Sequence, residues 1–193
     1  MADRFSSFSE LVHEMVLDRD FRISSIERPD STFLVLAPHG GKIERGTSEL
    51  TRAIARNDLS FYVFEGIRPA QNKDLHITSH RFDEPTALKL AERCAKVIGI
   101  HGRKNREDSK TTYLGGLDQQ LAKSIERELS KGGFFADSTN REFPAENPNN
   151  ICNRGSTSSG VQLELPLALR KELLASNELM VRYASAVRAA LFN

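Results

Sequence analysis

The stretch Phe33–Glu49, FLVLAPHGGKIERGTSE, decides how the rest of the chain reads. Its apolar run from Phe33 to Ala37 is unbroken, as in a strand buried on both faces, and it stops at Pro38. His39 follows in a loop with Gly40 and Gly41, then Glu44, then a helix start at Thr47. This is how a pair of metal ligands is presented. Imidazole and carboxylate suit zinc, and a catalytic zinc site commonly takes three protein ligands and leaves one position for water. The glycines let an ion or substrate approach the backbone and permit positive φ in a tight turn. A helix beginning at Thr47 aims unpaired N–H groups at the same space. Taken alone, the stretch is equally consistent with a plain strand-to-helix turn that leaves Glu44 as a solvated loop charge.

Working outward, the same strand-then-helix alternation recurs. Ser7 and Glu10 have capping-box spacing, and Leu11, Val12, Met15 and Val16 form an apolar stripe, which predicts a helix over 8–18 with His13 outside. Residues 60–65, SFYVFE, read as a core strand ended by Gly66. From Leu75 to His80 the pattern alternates as in a strand, with Leu75 and Ile77 on one face and His76, Thr78 and His80 on the other. His76 and His80 are therefore candidate substrate contacts, or ordinary half-exposed histidines of an edge strand. Asp83, Glu84 and Pro85 start a helix whose inner stripe is Ala87, Leu88, Ala91, Cys94 and Ala95. It feeds a short strand, Val97, Ile98 and Ile100, that ends in His101 and Gly102. In open α/β sheets functional groups collect beyond the carboxyl ends of parallel strands, so His101 is the candidate third ligand. Its competing reading is a loop histidine in the basic stretch HGRKNRED.

Residues 111–116 read as an extended segment, 117–131 as a scaffold helix ended by Gly132 and Gly133, and 134–137 as a brief strand. Residues 138–160 are polar and irregular, a length more often functional than decorative. Arg154 within it is a candidate clamp for a substrate carboxylate, whereas Arg141 reads as a solvated surface residue. In VQLEL, Val161, Leu163 and Leu165 face one way and Gln162 and Glu164 the other. A carboxylate in so core-like a strand must be paired, raised in pKa or placed beside a metal, which makes Glu164 the candidate general base unless the strand is an edge with a wet face. Helices follow Pro166, with Leu169, Leu173, Leu179, Val187 and Leu191 for the sheet. The element order predicts an α/β fold, a three-layer α/β/α sandwich around a mixed central sheet.

The 193 residues suit one domain spanning 1–193 with a substantial core. A formal net charge of +1 with interspersed signs gives no global field for nucleic acid or an anionic membrane, so neither partner is expected. Cys94 and Cys152 fit neither a zinc-finger spacing nor a disulfide framework and read as buried thiols of a reducing compartment. The opening MADRFSSFSE lacks the apolar core of a signal peptide, and no stretch approaches a membrane span, so a soluble cytoplasmic protein is expected.

PHGGKIERGTSEL, LHITSHRFDEP, IHGRK, LGGLD, NPNNICNRG and GVQLELP, in this order from about Pro38 to Arg170, resemble the poly-γ-glutamate hydrolase family of phage and bacterial proteins. That family is similar to the zinc carboxypeptidases in fold and to the N-formylglutamate amidohydrolases in logic. The resemblance implies zinc held by His39, Glu44 and His101, with Glu164 as the base. The expected activity is zinc-dependent hydrolysis of γ-glutamyl amide bonds in acidic substrates. Arg154 would hold a substrate carboxylate, with His76 and His80 as further contacts and Lys42, Arg45, Arg103 and Lys104 as a positive rim. Two alternatives stand beside it: an N-acyl or N-formyl amino-acid amidohydrolase acting on small substrates, and a non-catalytic phage-derived replication accessory protein.

Overall fold

The computed structural model describes residues 3–192. Seven strands form one mixed sheet: β1 (Phe21–Ile26), β2 (Phe33–Gly41), β3 (Ser60–Gly66), β4 (Lys96–Arg103), β5 (Thr112–Gly115), β6 (Ala136–Asp137) and β7 (Val161–Pro166). Their spatial order is β1-β3-β2-β4-β7-β5-β6. The central strands β3, β2, β4 and β7 run parallel, while β1 and β5 pair antiparallel to β3 and β7. Parallel strands need both faces covered, and the apolar runs and the alternating VQLEL read from the sequence fall on these four.

Helices α2 (Thr47–Ala55), α4 (Gln119–Lys131), α5 (Leu167–Ala175) and α6 (Asn177–Phe192) cover one face. Their Leu50, Ile54, Ile125, Leu173, Tyr183 and Val187 pack on Val35, Ile98 and Leu163 of the sheet. Each such side chain, taken fully out of water, contributes about 1.5–3 kcal/mol. The opposite face is covered by α1 (Phe8–Leu11), α3 (Pro85–Arg93) and the single 3-10 turns Asn72–Leu75, Ser79–Arg81 and Ile151–Asn153. There Leu75, Ile77, Phe82, Ala87 and Ile151 meet Leu34, Leu36, Tyr62 and Phe64. The expected three-layer α/β/α architecture is present.

Local chemistry sets the helix ends. The Asp118 carboxylate accepts the Leu121 N–H at 3.0 Å and so caps α4, which starts two residues later than Leu117. Glu84, rather than Asp83, caps α3 through the Ala87 N–H at 2.8 Å, with Pro85 in the first turn. Asp83 instead accepts the Phe8 N–H from the N-terminal segment.

Two local expectations are corrected. The helix predicted over 8–18 ends at Leu11: Leu11 and Met15 are buried in the core, but Val12 and Val16 are 44% and 47% exposed, so only half of the apolar stripe packs. Residues 75–80 form no strand but lie across two 3-10 turns, because this segment covers the sheet face instead of joining its ladder. The alternation survives as burial, with Leu75 and Ile77 inside. β1 carries little apolar signal, since FRISSI sits at the sheet edge and buries Phe21 alone. Among the described residues no helix is long and apolar enough to cross a membrane. Cys94 and Cys152 are buried free thiols.

Candidate metal centre

His39 reaches the site because β2 is bulged. Ala37 pairs with Val63 but Gly40 pairs with Glu65, three steps on β2 against two on β3. Val35 and Ala37 face the helical layer, and in an unbroken strand His39 would share that face. The extra residue gives that facing to Gly40, where a Cβ would stand 2.4 Å from Ser48 Oγ of α2. His39 therefore opens on the opposite face, with its ring edge-on to Phe82. Gly41 then turns the chain with φ +63°, a conformation that favours glycine.

The other groups arrive on neighbouring strands. His101 of β4 stands directly beside Glu164 of β7 in the parallel ladder, so both project from one face. Glu44 is held in the loop after β2, with its N–H donating to the His39 carbonyl at 2.9 Å and its Oε2 accepting the Gly102 N–H at 2.7 Å. The buried guanidinium of Arg170 donates to the carbonyls of Leu165, Arg45 and Arg103 at 3.2, 2.5 and 3.2 Å. One cation thus ties together the ends of β4 and β7 and the loop after β2 that carries Glu44.

His39 Nδ1 and His101 Nδ1 are 3.1 Å apart, and Glu44 oxygens lie 3.4 and 3.8 Å from them respectively. Around a tetrahedral zinc with bonds of about 2.0–2.2 Å, ligand atoms stand about 3.3 Å from one another. His39, Glu44 and His101 offer ligand atoms that all lie within 4.8 Å of each other. The outer nitrogens are anchored: His39 Nε2–H donates to the Ile77 carbonyl at 2.8 Å, and His101 Nε2 lies 3.4 Å from Ser79 Oγ. Anchoring the far nitrogen leaves the Nδ1 lone pair for an ion, the arrangement expected around histidine ligands. The donor set therefore fits a divalent cation of the zinc type.

Charge accounts for the same geometry. Burial pulls the His39 pKa down, but the adjacent Glu44 carboxylate outweighs it and the net shift is upward. Burial pulls His101 down to about 3, helped by charge on His39. Burial works against the Glu44 carboxylate, yet the histidines around it bring its pKa to about 2. The Glu44 carboxylate thus favours positive charge at this point of the pocket. Glu164 goes the other way: burial and the Glu44 charge push it well above the ordinary carboxylate range, partly opposed by Arg103 and Arg170.

The remaining candidates divide. His76 stacks on the His39 ring at 3.9 Å between centroids, with Nε2 3.9 Å from Glu44 Oε1. Its Nδ1 donates to Asp3 Oδ1 at 2.7 Å, and Asp3 Oδ2 also accepts the Thr78 N–H and hydroxyl. His80 is exposed on the turn beside Ser79 and makes no hydrogen bond or ion pair among the described residues. Arg154 is half-buried at the end of the Ile151–Asn153 turn. Lys42, Arg45 and Lys104 are exposed, but Arg103 is no rim residue: it is buried over the Tyr113 ring and donates to the carbonyls of Lys104, Asn105, Asp108 and Thr111. Sequence reasoning missed Asp3, Ser79 and Arg170. Asp3 and Ser79 carried no usable signal, since they act on partners 73 and 22 residues away. Arg170 carried no usable signal either, since it opens the charged triplet Arg170, Lys171 and Glu172 of a helix.

A family model described as poly-gamma-glutamate hydrolase matches residues 5–192. UPF0714 protein YmaC of Bacillus subtilis (strain 168) is 37% identical, over 98% of this chain and 84% of that protein. Among solved structures, a bacteriophage poly-gamma-glutamate hydrolase superposes with a TM-score of 0.92 at 30% identity, covering 98% of this chain and 97% of that one. Apo, zinc-free YndL superposes with a TM-score of 0.90 at 35% identity, covering 100% and 98%. A carboxypeptidase A-like structure from Shewanella denitrificans OS-217, 15% identical with a TM-score of 0.53 over 89% of this chain and 59% of that one, shares the fold alone.

Proposed function

The chain belongs to the poly-γ-glutamate hydrolase family, and from that premise we propose that it is a zinc-dependent amidohydrolase that cleaves γ-glutamyl amide bonds. The observation that carries this reading is the convergence of His39 Nδ1, His101 Nδ1 and a Glu44 carboxylate on one buried point, on the sheet face that also presents Glu164. His39, Glu44 and His101 would hold the ion. Zinc bound there supplies Lewis acidity, which polarises a scissile carbonyl and acidifies water.

The chain's own groups do the rest. Glu164 takes a proton from the attacking water and returns it to the departing amide nitrogen, a role in which a carboxylate raised above its ordinary range by burial is the stronger base. Arg154 holds a substrate carboxylate, for which a planar guanidinium is better shaped than an ammonium. His76, fixed by Asp3 against the His39 ring, contacts the substrate beside the centre. His80 contacts it further out. Exposed Lys42, Arg45 and Lys104 in the loops after β2 and β4 attract a polyanion although the net charge is only +1.

Elemental analysis of the purified protein, with hydrolysis of γ-linked glutamate chains set against short N-acyl glutamates, tests metal and bond type together. Glu164→Gln is expected to keep its zinc and lose turnover by about 10²–10⁴-fold. His101→Ala is expected to lose the metal. Full activity in the Glu164 variant, or undiminished zinc in the His101 variant, would sink the assignment.

A further inference from the structure

Glu164 is not left to find its own orientation. Its Oε1 accepts a hydrogen bond from Gln162 Nε2 at 2.9 Å, and Gln162 Oε1 accepts one from Asn150 Nδ2 at 3.0 Å. Asn150 Oδ1 in turn accepts the backbone N–H of Cys152 at 3.1 Å. A backbone N–H can only donate, so it decides which end of the Asn150 amide is oxygen. The Asn150 nitrogen must then face Gln162, and the Gln162 nitrogen must face Glu164. Each donor in the row points toward the carboxylate. Asn150, Gln162 and Glu164 are 6%, 6% and 8% exposed, so water offers little substitute for a missing link.

We propose that Asn150 and Gln162 are positioning residues, a one-way amide relay that holds Glu164 Oε1 as an acceptor and leaves Oε2 as the oxygen that exchanges the proton. The inference rests on Glu164 being the general base. It also gives residues 138–160 a part in the chemistry, because Asn150 is where this irregular segment enters the row of hydrogen bonds. An apolar side chain at 162 would fill the same space, but it could not tell the two carboxylate oxygens apart.

Two nearly isosteric substitutions test this in the zinc-loaded enzyme. Gln162→Met removes the donor to Glu164. Asn150→Asp keeps the acceptor for the Cys152 N–H but cannot donate, so the Gln162 amide must turn and present its oxygen to Glu164. Each is expected to lower kcat about 10- to 100-fold, the value of one hydrogen bond to a charged group, with KM and bound zinc unchanged. The double variant should be no worse than the weaker single one, because Asn150 acts through Gln162. A second readout needs no activity: in zinc-free protein labelled with ¹⁵N, the Gln162 side-chain amide should show one slowly exchanging proton whose resonance shifts in Asn150→Asp, because the turned amide then donates to the carboxylate at 150 instead of Glu164. Unchanged kcat in Gln162→Met, losses that multiply in the double variant, or an amide that Asn150→Asp leaves untouched would overturn the relay. Glu164→Gln belongs in the same assay. If it is inactive while Gln162→Met is fully active, the relay alone falls; if it is fully active, the base assignment falls and takes the relay with it.

Discussion

Leu163 and Glu164 are neighbours on β7 that point to opposite faces of one sheet. Leu163, with no exposed surface, belongs to the aliphatic layer under α2, α4, α5 and α6. Glu164, 8% exposed, stands beside His101 on the face covered by α1, α3 and three 3-10 turns. Both faces are dry, but the irregular one holds the two imidazoles and the carboxylates. Regular helices can bury apolar side chains yet spend their own backbone groups internally. Turns leave carbonyls and hydroxyls such as Ile77 O and Ser79 Oγ free to fix a histidine. Density of packing is common to the two faces; the supply of free backbone partners is not.

The pair offers a direct way to break this comparison. The turnover lost in Glu164→Gln should come with a thermal midpoint close to the parent's. Leu163→Ala should do the reverse, costing about 2–5 kcal/mol of unfolding free energy in denaturant titration, with turnover per folded molecule retained. A Leu163 variant that was stable but inactive would show that the helical face is also part of the machinery.

Acid should probe the irregular face next. His101 has its pKa depressed from 6.5 to about 3, so the unfolded chain binds its proton first as pH falls. The zinc-free protein is therefore expected to lose this contribution to stability progressively from pH 6.5 down to about 3, since the unfolded state holds more protons across that window. His101→Asn should flatten the slope of unfolding free energy there, and an unaltered slope would contradict the assignment. The smallest effect is expected at Asp3. Asp3→Asn weakens the hold on His76 and should lower turnover by about fivefold, roughly one neutral hydrogen bond, while zinc affinity stays near the parent's. Loss of zinc in that variant would make the N-terminal segment a support of the ligands themselves.

Much of this was legible without coordinates. β2, β3 and β4 are apolar runs and β7 an alternating one, all bounded by glycine or proline, and buried strands leave such marks in the sequence. His39, His101 and Glu164 stood out as candidates because each ends such a strand or breaks its pattern, and Glu44 because it follows His39 in the loop before α2. β1 was not, because an edge strand with one covered face needs few apolar residues. Nor was the conformation of residues 75–80: a burial period of two is produced equally by a strand and by a chain laid flat across a sheet, and only the ladder tells them apart.

By itself the sequence determined the layered α/β architecture and the identity of the chemical groups, because hydrophobic periodicity and residue type are local properties. The face on which His39 emerges was settled by one extra residue in β2 measured against β3. The anchoring of His76 by Asp3, the clamping of two strand ends and the loop after β2 by Arg170 and the direction of the hydrogen bonds reaching Glu164 were likewise decided only in three dimensions. Each depends on partners brought together by strand register or chain crossing, which no local pattern encodes.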